Sequence, residues 1–71
     1  MNDNDIKLLI KDSIRKRGHN NTSLAAAIGV SEGTVRRIIN VNEDYNPTLK
    51  QLRALSKELS IPINVLIGTD D

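Results

Sequence analysis

The feature of this sequence that most limits its fold is a very short link between two helical segments. Residues 21–28 and 32–40 each have the apolar spacing of a helix, with Gly29 and Ser31 between them. Glycine adopts positive φ at the end of a helix without steric cost, and serine is a favoured cap for the next helix. Two helices joined so closely have to cross at a steep angle, and the small Ala25 allows that close approach.

Three further helices are predicted on either side of this pair. Apolar residues at three- and four-residue steps predict a first helix over about 5–17. Thr48 and Gln51 match a capping box, and a leucine-spaced fourth helix follows them. A short fifth helix is predicted near Pro62, which a first helical turn tolerates. The glycines expected to end the first and last helices are Gly18 and Gly68.

Composition indicates what holds such helices together. The 71 residues contain no cysteine, tryptophan or phenylalanine, and Tyr45 is the only aromatic residue. The core therefore has to be built from Ile, Leu, Val and Ala, without disulfides. A chain this short buries only about 60% of its unfolded surface, so its stability should be modest. We expect one all-α domain over 1–71, with five short helices and with 69–71 as a tail or the start of a linker.

Charge is distributed unevenly along the chain. The net charge is only +1, but residues 6–40 hold seven basic and two acidic residues, whereas the remainder holds three basic and seven acidic ones. A basic side is typical of proteins that bind a polyanion such as DNA. An ordinary solvated helix face explains the same charges equally well. Three of these cations are expected off the apolar stripe of the first helix, namely Lys7, Lys11 and Arg15.

The sequence argues against catalysis and against a membrane span. There is no cysteine, His19 is the only histidine, and no glycine-rich loop is present to hold a phosphate. We therefore expect no enzymatic activity, no metal site and no cofactor. The longest strongly apolar stretch, 61–67, is far shorter than the roughly 20 residues that a span needs, and no leader pattern opens the chain. A soluble, cytoplasmic protein is expected.

A set of residues at fixed offsets extends over nearly the whole chain. They are Leu24-Ala25, Ile28-Gly29-Val30-Ser31, Val35, Ile38, Asn40, Pro47-Thr48-Leu49, Ile61 and Leu66-Ile67. With these residues the chain resembles the Cro/lambda-repressor-type (XRE-like) helix-turn-helix domain of phage repressors, antitoxins and restriction controller proteins. The resemblance implies a sequence-specific DNA-binding regulator, most simply a phage or mobile-element repressor. The alternative is a protein-interaction module of the same fold, such as an antirepressor or an antitoxin-like partner.

In that family the third helix lies in the major groove of double-stranded DNA. The residues that the resemblance brings to the bases are Ser31, Glu32, Gly33, Thr34, Arg36 and Arg37. Arg37 suits guanine, which accepts two parallel hydrogen bonds, and Glu32 suits the amino group of cytosine. The alternative explanation of Glu32 is a first-turn acid that favours the helix dipole. Gly33 costs about 0.5–1 kcal/mol in a helix, which indicates a function, a close backbone approach, or mere tolerance near a helix end.

Phosphate contacts are expected near the helix ends, where amide groups bind phosphate oxygens well. The candidates are Asn21, Asn40, Asn42, Lys16 and Arg17. The last two are equally explained as cations that favour the end of the first helix. Three positions depart from the family pattern, in which many relatives have glutamine, glutamate and glycine where this chain has Asn21, Ile39 and Val41. The shorter Asn21 would reach a phosphate through water, and Ile39 would face the core or a partner.

The resemblance also implies a homodimer, formed in solution or only on DNA. One small helix-turn-helix covers few base pairs, so specificity normally requires two copies on two-fold related half-sites about 34 Å apart. The predicted dimer contacts are Tyr45, Ile63, Val65 and Ile67. The apolar residues among them are equally explained as core, because a chain this small buries most of its apolar side chains. Tyr45 is equally explained as a DNA-backbone contact or a surface aromatic.

Overall fold

A computed structural model of the chain describes residues 3–67, with the backbone alone at residue 3. That range contains five helices and no strand: α1 (Asp3–Lys16), α2 (Asn21–Ile28), α3 (Glu32–Ile39), α4 (Leu49–Leu59) and α5 (Ile63–Leu66). The predicted all-α fold is confirmed, and the predicted bounds of the first three helices agree with the structure within two residues. Gly68 and the tail at 69–71 lie outside the described residues. Over 3–67 no helix has both the length and the apolar character that crossing a membrane requires.

Three of the helices, α2, α3 and α4, begin where the sequence supplies a capping side chain. Asn20 caps α2 by accepting a hydrogen bond from the Ser23 amide at 2.8 Å. Ser31 caps α3 by accepting from the amide three residues later at 3.1 Å. The predicted capping box of Thr48 and Gln51 is present at the start of α4. These bonds provide acceptors for amides that the first turn of a helix leaves unpaired.

The link between α2 and α3 has the predicted conformation. Gly29 lies in the left-handed region with φ of +76°. Its N–H and that of Val30 both donate to the carbonyl of Ala25, one turn back in α2. Ala25 is itself only 4% exposed, and α2 packs directly on α3. The close helix pair expected from the sequence is therefore confirmed.

An aliphatic core connects the five helices. Its buried members are Ile10, Ile14, Leu24, Ala25, Val35, Ile38, Leu55, Leu59, Ile61 and Leu66. From α3 it receives Val35 and Ile38, which are at most 1% exposed. Because these two residues share one face of the helix, the opposite face of α3 points away from the protein. The core thus determines which side of α3 is presented to a partner.

Lys7 corrects the sequence-based view of the basic side. Its spacing predicted a position off the apolar stripe of α1, yet it is only 8% exposed. The Lys7 ammonium donates to the carbonyls of Asn40 at 2.9 Å and Glu43 at 2.7 Å. These acceptors are 33 and 36 residues away, so helical periodicity could not reveal them. Lys7 fastens the loop after α3 and adds little to the exposed positive charge.

Candidate nucleic-acid interface

The outward face of α3 is open to solvent. Gly33, Arg36 and Arg37 are exposed along it. The other predicted base-contacting residues lie at the start of the same helix, one exposed and two half-buried: Ser31, Glu32 and Thr34. The six residues therefore lie along α3 and its N-cap, with the two arginines in the last turn of the helix. Guanidinium groups offer the paired donors that guanine and phosphate accept.

Gly33 has no structural requirement for glycine within the chain. A Cβ added there would come within 4 Å of a single atom outside its own helical backbone, the Oγ of Ser31 at 3.9 Å. Its φ is not positive, in contrast to that of Gly29. A close approach inside the protein is therefore excluded as the reason for the glycine. A demand from a partner at this face, or simple tolerance in a first helical turn, remains.

Glu32 is engaged through both of its carboxylate oxygens. Thr22 in α2 donates its hydroxyl to Oε2 at 2.6 Å, and the Arg36 guanidinium pairs with Oε1. One carboxylate thus joins α2 to α3 and orients an exposed arginine. Each carboxylate oxygen accepts more than one hydrogen bond, so Glu32 has acceptor capacity left for a third donor such as a base amino group. The structure adds a positioning role for Glu32 that the sequence pattern did not indicate.

Arg37 lies against the loop that follows α3. Its guanidinium carbon is 4.7 Å from the centroid of the Tyr45 ring, which is within cation–π range, and its Nε is 3.3 Å from a carboxylate oxygen of Glu43. Tyr45 is half-buried and donates its hydroxyl to Gln51 at 3.2 Å. The loop therefore holds the arginine at the outer end of α3. Sequence reasoning missed this contact because nothing in the spacing relates residues 37 and 45.

Three of the predicted phosphate-contacting residues lie at the ends of the helix pair. Asn21 is the first residue of α2 and is half-buried. Asn40 was predicted to be the last residue of α3. Its backbone is already extended, so it is the C-cap of that helix. Its side-chain oxygen accepts from the amide of Asn42 at 2.9 Å, so these two residues form one short turn. The side-chain amides of these three asparagines therefore lie at both ends of the α2–α3 pair.

The other two predicted phosphate-contacting residues lie at the end of α1. Lys16 pairs with Asp12 at 2.9 Å, and the Lys16 ammonium lowers the pKa of that carboxyl from its ordinary value of 3.8. Arg17 donates to the hydroxyl of Ser60 at 2.7 Å, just past the end of α4. Both cations therefore have partners within the protein. The Arg17 contact links α1 to the end of α4 and not to α3.

His19 joins the turn after α1 to α4. Its two ring nitrogens lie 2.9 Å from the hydroxyl of Ser23 and 2.9 Å from the carboxylate of Glu58. The contact with Glu58 spans 39 residues, and the sequence alone gave no sign of it. Within residues 3–67 no group of three or more potential metal ligands is present.

The predicted dimer contacts differ in how far they are exposed. Ile67 is 42% exposed and Ile63 is half-buried, so these two carry the open apolar surface near α5. Val65 and Tyr45 are partly buried and pack against the core. Both interpretations of this group therefore have some support: part of it is core, and part of it is free to contact a partner.

The α2 helix, its three-residue link and the outward face of α3 together form a helix-turn-helix. A helix-turn-helix family model matches residues 10–66, from the middle of α1 to the last residue of α5. The chain belongs to the Cro/lambda-repressor-type helix-turn-helix family. It is accordingly a DNA-binding transcription regulator of that type. Neither the curated proteins nor the solved structures contain a significant match to the chain.

Two positions at which this helix-turn-helix chain departs from its family have different environments. Ile39 is half-buried and packs against the core, which agrees with one of the two alternatives for that residue. Val41, where many relatives have glycine, is 39% exposed at the start of the loop. Together they make the end of α3 and the start of the loop apolar.

Proposed function

We propose that this protein binds a specific site in double-stranded DNA by placing α3 in the major groove. The observation that carries the proposal is the outward face of α3, where Gly33, Arg36 and Arg37 are exposed while the opposite face is locked into the core. The third helix of a helix-turn-helix fits the major groove, and its early residues approach the base edges. The bare backbone at Gly33 allows α3 to lie deep in the groove.

The two arginines are the principal base readers in this proposal. A bidentate arginine–guanine contact contributes about 1–3 kcal/mol of discrimination against other bases. Arg36 is oriented by Glu32, and Arg37 is held by Glu43 and Tyr45. An arginine that is already oriented loses less side-chain entropy on binding. Glu32 adds specificity by accepting from a cytosine or by repelling a wrongly placed phosphate. Ser31 and Thr34 contribute hydroxyl contacts at the start of the helix.

Phosphate contacts on both sides of the groove complete the interface. Asn21 lies at the amino end of α2, where backbone N–H groups favour an anion, while Asn40 and Asn42 lie beyond α3. Contacts of this kind fix the position of the protein on the duplex without reading its sequence. Lys16 and Arg17 add positive charge at the edge of the interface.

We further propose that two copies bind two-fold related half-sites and that binding represses transcription, as in the phage and mobile-element repressors that the sequence resembles. The exposed Ile67 and the half-buried Ile63 support a contact between copies, while Val65 and Tyr45 are partly buried against the core. A contact built on two such side chains buries little area, and interfaces of small area are weak. The dimer is therefore expected to form mainly on DNA, where two half-sites bring the copies together.

Selection of bound fragments from random DNA at about 0.1 M salt tests this proposal, because at that ionic strength non-specific binding is weak. The wild-type protein is compared with an Arg36→Ala/Arg37→Ala variant. An Arg53→Ala/Lys57→Ala variant is the matched control, since it removes two exposed cations from α4. We expect the wild type and the control to recover a two-fold symmetric motif containing G·C pairs, and the α3 variant to recover none.

Two results would contradict the proposal. Recovery of the same motif by the Arg36→Ala/Arg37→Ala variant would mean that α3 is not the reader. Failure of the wild-type protein to enrich any motif would reject sequence-specific binding and favour the protein-interaction alternative.

A further inference from the structure

Lys11 differs from the other cations in the basic segment of the chain. Within residues 3–67, every other lysine or arginine between positions 6 and 40 has a hydrogen-bond acceptor or an ion-pair partner. Lys11 has neither, although it is exposed near the middle of α1. Its sequence neighbour Asp12 is already paired with Arg15 and Lys16. Among residues 3–67, therefore, no ion pair or hydrogen bond compensates the charge of Lys11.

An open groove between α1 and the end of α3 contains this lysine. Its polar lining consists of Lys11, Arg36, Asn40 and Asn42, and no carboxylate contributes to it. Its apolar lining consists of Leu8, Ile39 and Val41, of which Leu8 is 53% exposed. Two cations and two amides therefore line one groove, and in the described part of the chain the only acid paired with either cation is Glu32, which pairs with Arg36 from outside the lining. Such a surface is complementary to a phosphate group.

We propose that Lys11 binds a backbone phosphate of DNA and so extends the interface from the helix-turn-helix onto α1. The inference rests on the proposed DNA-binding function and adds a contact to it. The groove is continuous with the proposed reading surface, because Arg36 lies on α3 and Asn40 and Asn42 follow it. The aliphatic stem of Lys11 lies along the apolar part of the groove while the ammonium reaches the phosphate.

A protein partner is the less favoured occupant of this groove. An acidic peptide would also complement the cations, but the groove does not stand apart from the α3 face as a separate docking site would. It shares Arg36 with that face. A phosphate adjacent to the bases read by α3 therefore accounts for both the charge of the groove and its position.

The test compares Lys11→Gln with Lys57→Gln, a matched control that removes an exposed cation from α4. Binding to a mixed-sequence duplex of about 20 base pairs and to the selected motif is measured by fluorescence anisotropy between about 50 and 200 mM salt. We expect Lys11→Gln to weaken both complexes by a similar factor. The plot of log K against log salt should also become less steep, its negative slope shrinking in magnitude by about 0.9 per bound protomer, as loss of one phosphate contact requires. Lys57→Gln should change neither quantity.

The possible failures are distinguishable. If the wild type binds both duplexes and Lys11→Gln keeps its salt slope, the Lys11 contact is overturned while the DNA-binding function stands. If the wild type binds neither duplex, the proposed function fails and takes this inference with it. If Lys11→Gln keeps its DNA affinity but loses binding to a polyglutamate probe that the wild type binds, the groove serves an acidic protein partner instead. Equal thermal melts of both variants verify that neither substitution disturbs the fold.

Discussion

The two ends of α3 are held in different ways. At its beginning, the link from α2 is fixed by residues that are near neighbours in the chain. Gly29 adopts positive φ, the carbonyl of Ala25 accepts from the link, and Ser31 caps the next helix. Every one of these contacts spans five residues or fewer. The geometry of this end is therefore a local property of the sequence.

At the other end, the loop after α3 depends on a side chain from a distant part of the chain as well as on local contacts. The ammonium of Lys7 in α1 donates hydrogen bonds to the carbonyls of Asn40 and Glu43. Tyr45 packs against the core, and its ring contacts the guanidinium of Arg37. This comparison shows that one face of a reading helix can depend both on a short sequence motif and on long-range packing. Substitutions at the two ends should therefore have different consequences.

The largest effect is expected for Ala25→Leu, which tests the close packing at the link end. Ala25 is 4% exposed where α2 packs on α3, so extra methylenes have no space. We expect the free energy of unfolding to fall by about 3 kcal/mol, the upper part of the usual range for overpacking. Urea denaturation followed by circular dichroism measures it. Ala26→Leu is the control, because Ala26 is exposed and should tolerate leucine. Equal stability of the two variants would contradict the close approach.

At the loop end, Lys7→Met is expected to have the next largest effect. Loss of the ammonium removes the hydrogen bonds to the carbonyls of Asn40 and Glu43, and a hydrogen bond that involves a charged group contributes about 1.5–3 kcal/mol. We expect a loss of about 2 kcal/mol. The substitution should accelerate amide hydrogen exchange in residues 41–46 more than in residues 29–31, because the hydrogen bonds of 29–31 are local. Lys11→Met, four residues along α1, should leave both regions unchanged. A uniform change across both regions would remove the distinction between the two ends.

A smaller effect is expected for Gly29→Ala, which places a Cβ at φ of +76°. The left-handed conformation costs about 1–2 kcal/mol for a residue other than glycine, so we expect a loss of about 1 kcal/mol. Gly33→Ala provides the contrast, because its Cβ enters open space in a helix with ordinary φ. That change should increase stability by about 0.5–1 kcal/mol. Thermal denaturation of both variants measures the difference, and changes of the same sign would show that the link does not need glycine.

The smallest effects are expected for Glu32→Gln and Glu43→Gln, which each remove an acid paired with an arginine of α3. Exposed ion pairs contribute little, so each change should alter the free energy of unfolding by less than about 1 kcal/mol. Both should raise affinity for a non-specific duplex, because a negative charge beside the phosphates is lost. Filter binding at matched salt measures this. Only Glu32→Gln should change the preferred bases, and an identical motif for both variants would remove Glu32 from base recognition.

The agreement between sequence and structure follows the same division. The caps at Ser31 and Thr48 and the turn at Gly29 were predicted because each depends on a few consecutive residues. The apolar spacing likewise identified the buried face of α3, since a helix repeats regularly along the chain. The position of Lys7 was predicted wrongly, because the carbonyls that attract it belong to a loop remote in sequence.

The candidate site was predicted as a set of residues but not as an arrangement. The sequence indicated that Glu32, Arg36 and Arg37 lie on the accessible side of one helix. In the structure both arginines are exposed and Glu32 is half-buried, which agrees with that prediction. It did not indicate that Thr22 would engage Glu32 or that Tyr45 would support Arg37. Side chains on separate elements meet only when those elements pack, and one sequence contains no direct record of that packing.

By itself, the sequence determined the helices, their caps, the tight link and the family, because these follow from local hydrogen bonding, backbone sterics and apolar periodicity. Only the tertiary structure decided which cations are bound within the protein and which, like Lys11, remain available. The reason is physical: a charge on a helix surface is satisfied by whatever acceptor the fold brings within about 3 Å, and that acceptor can lie anywhere in the chain.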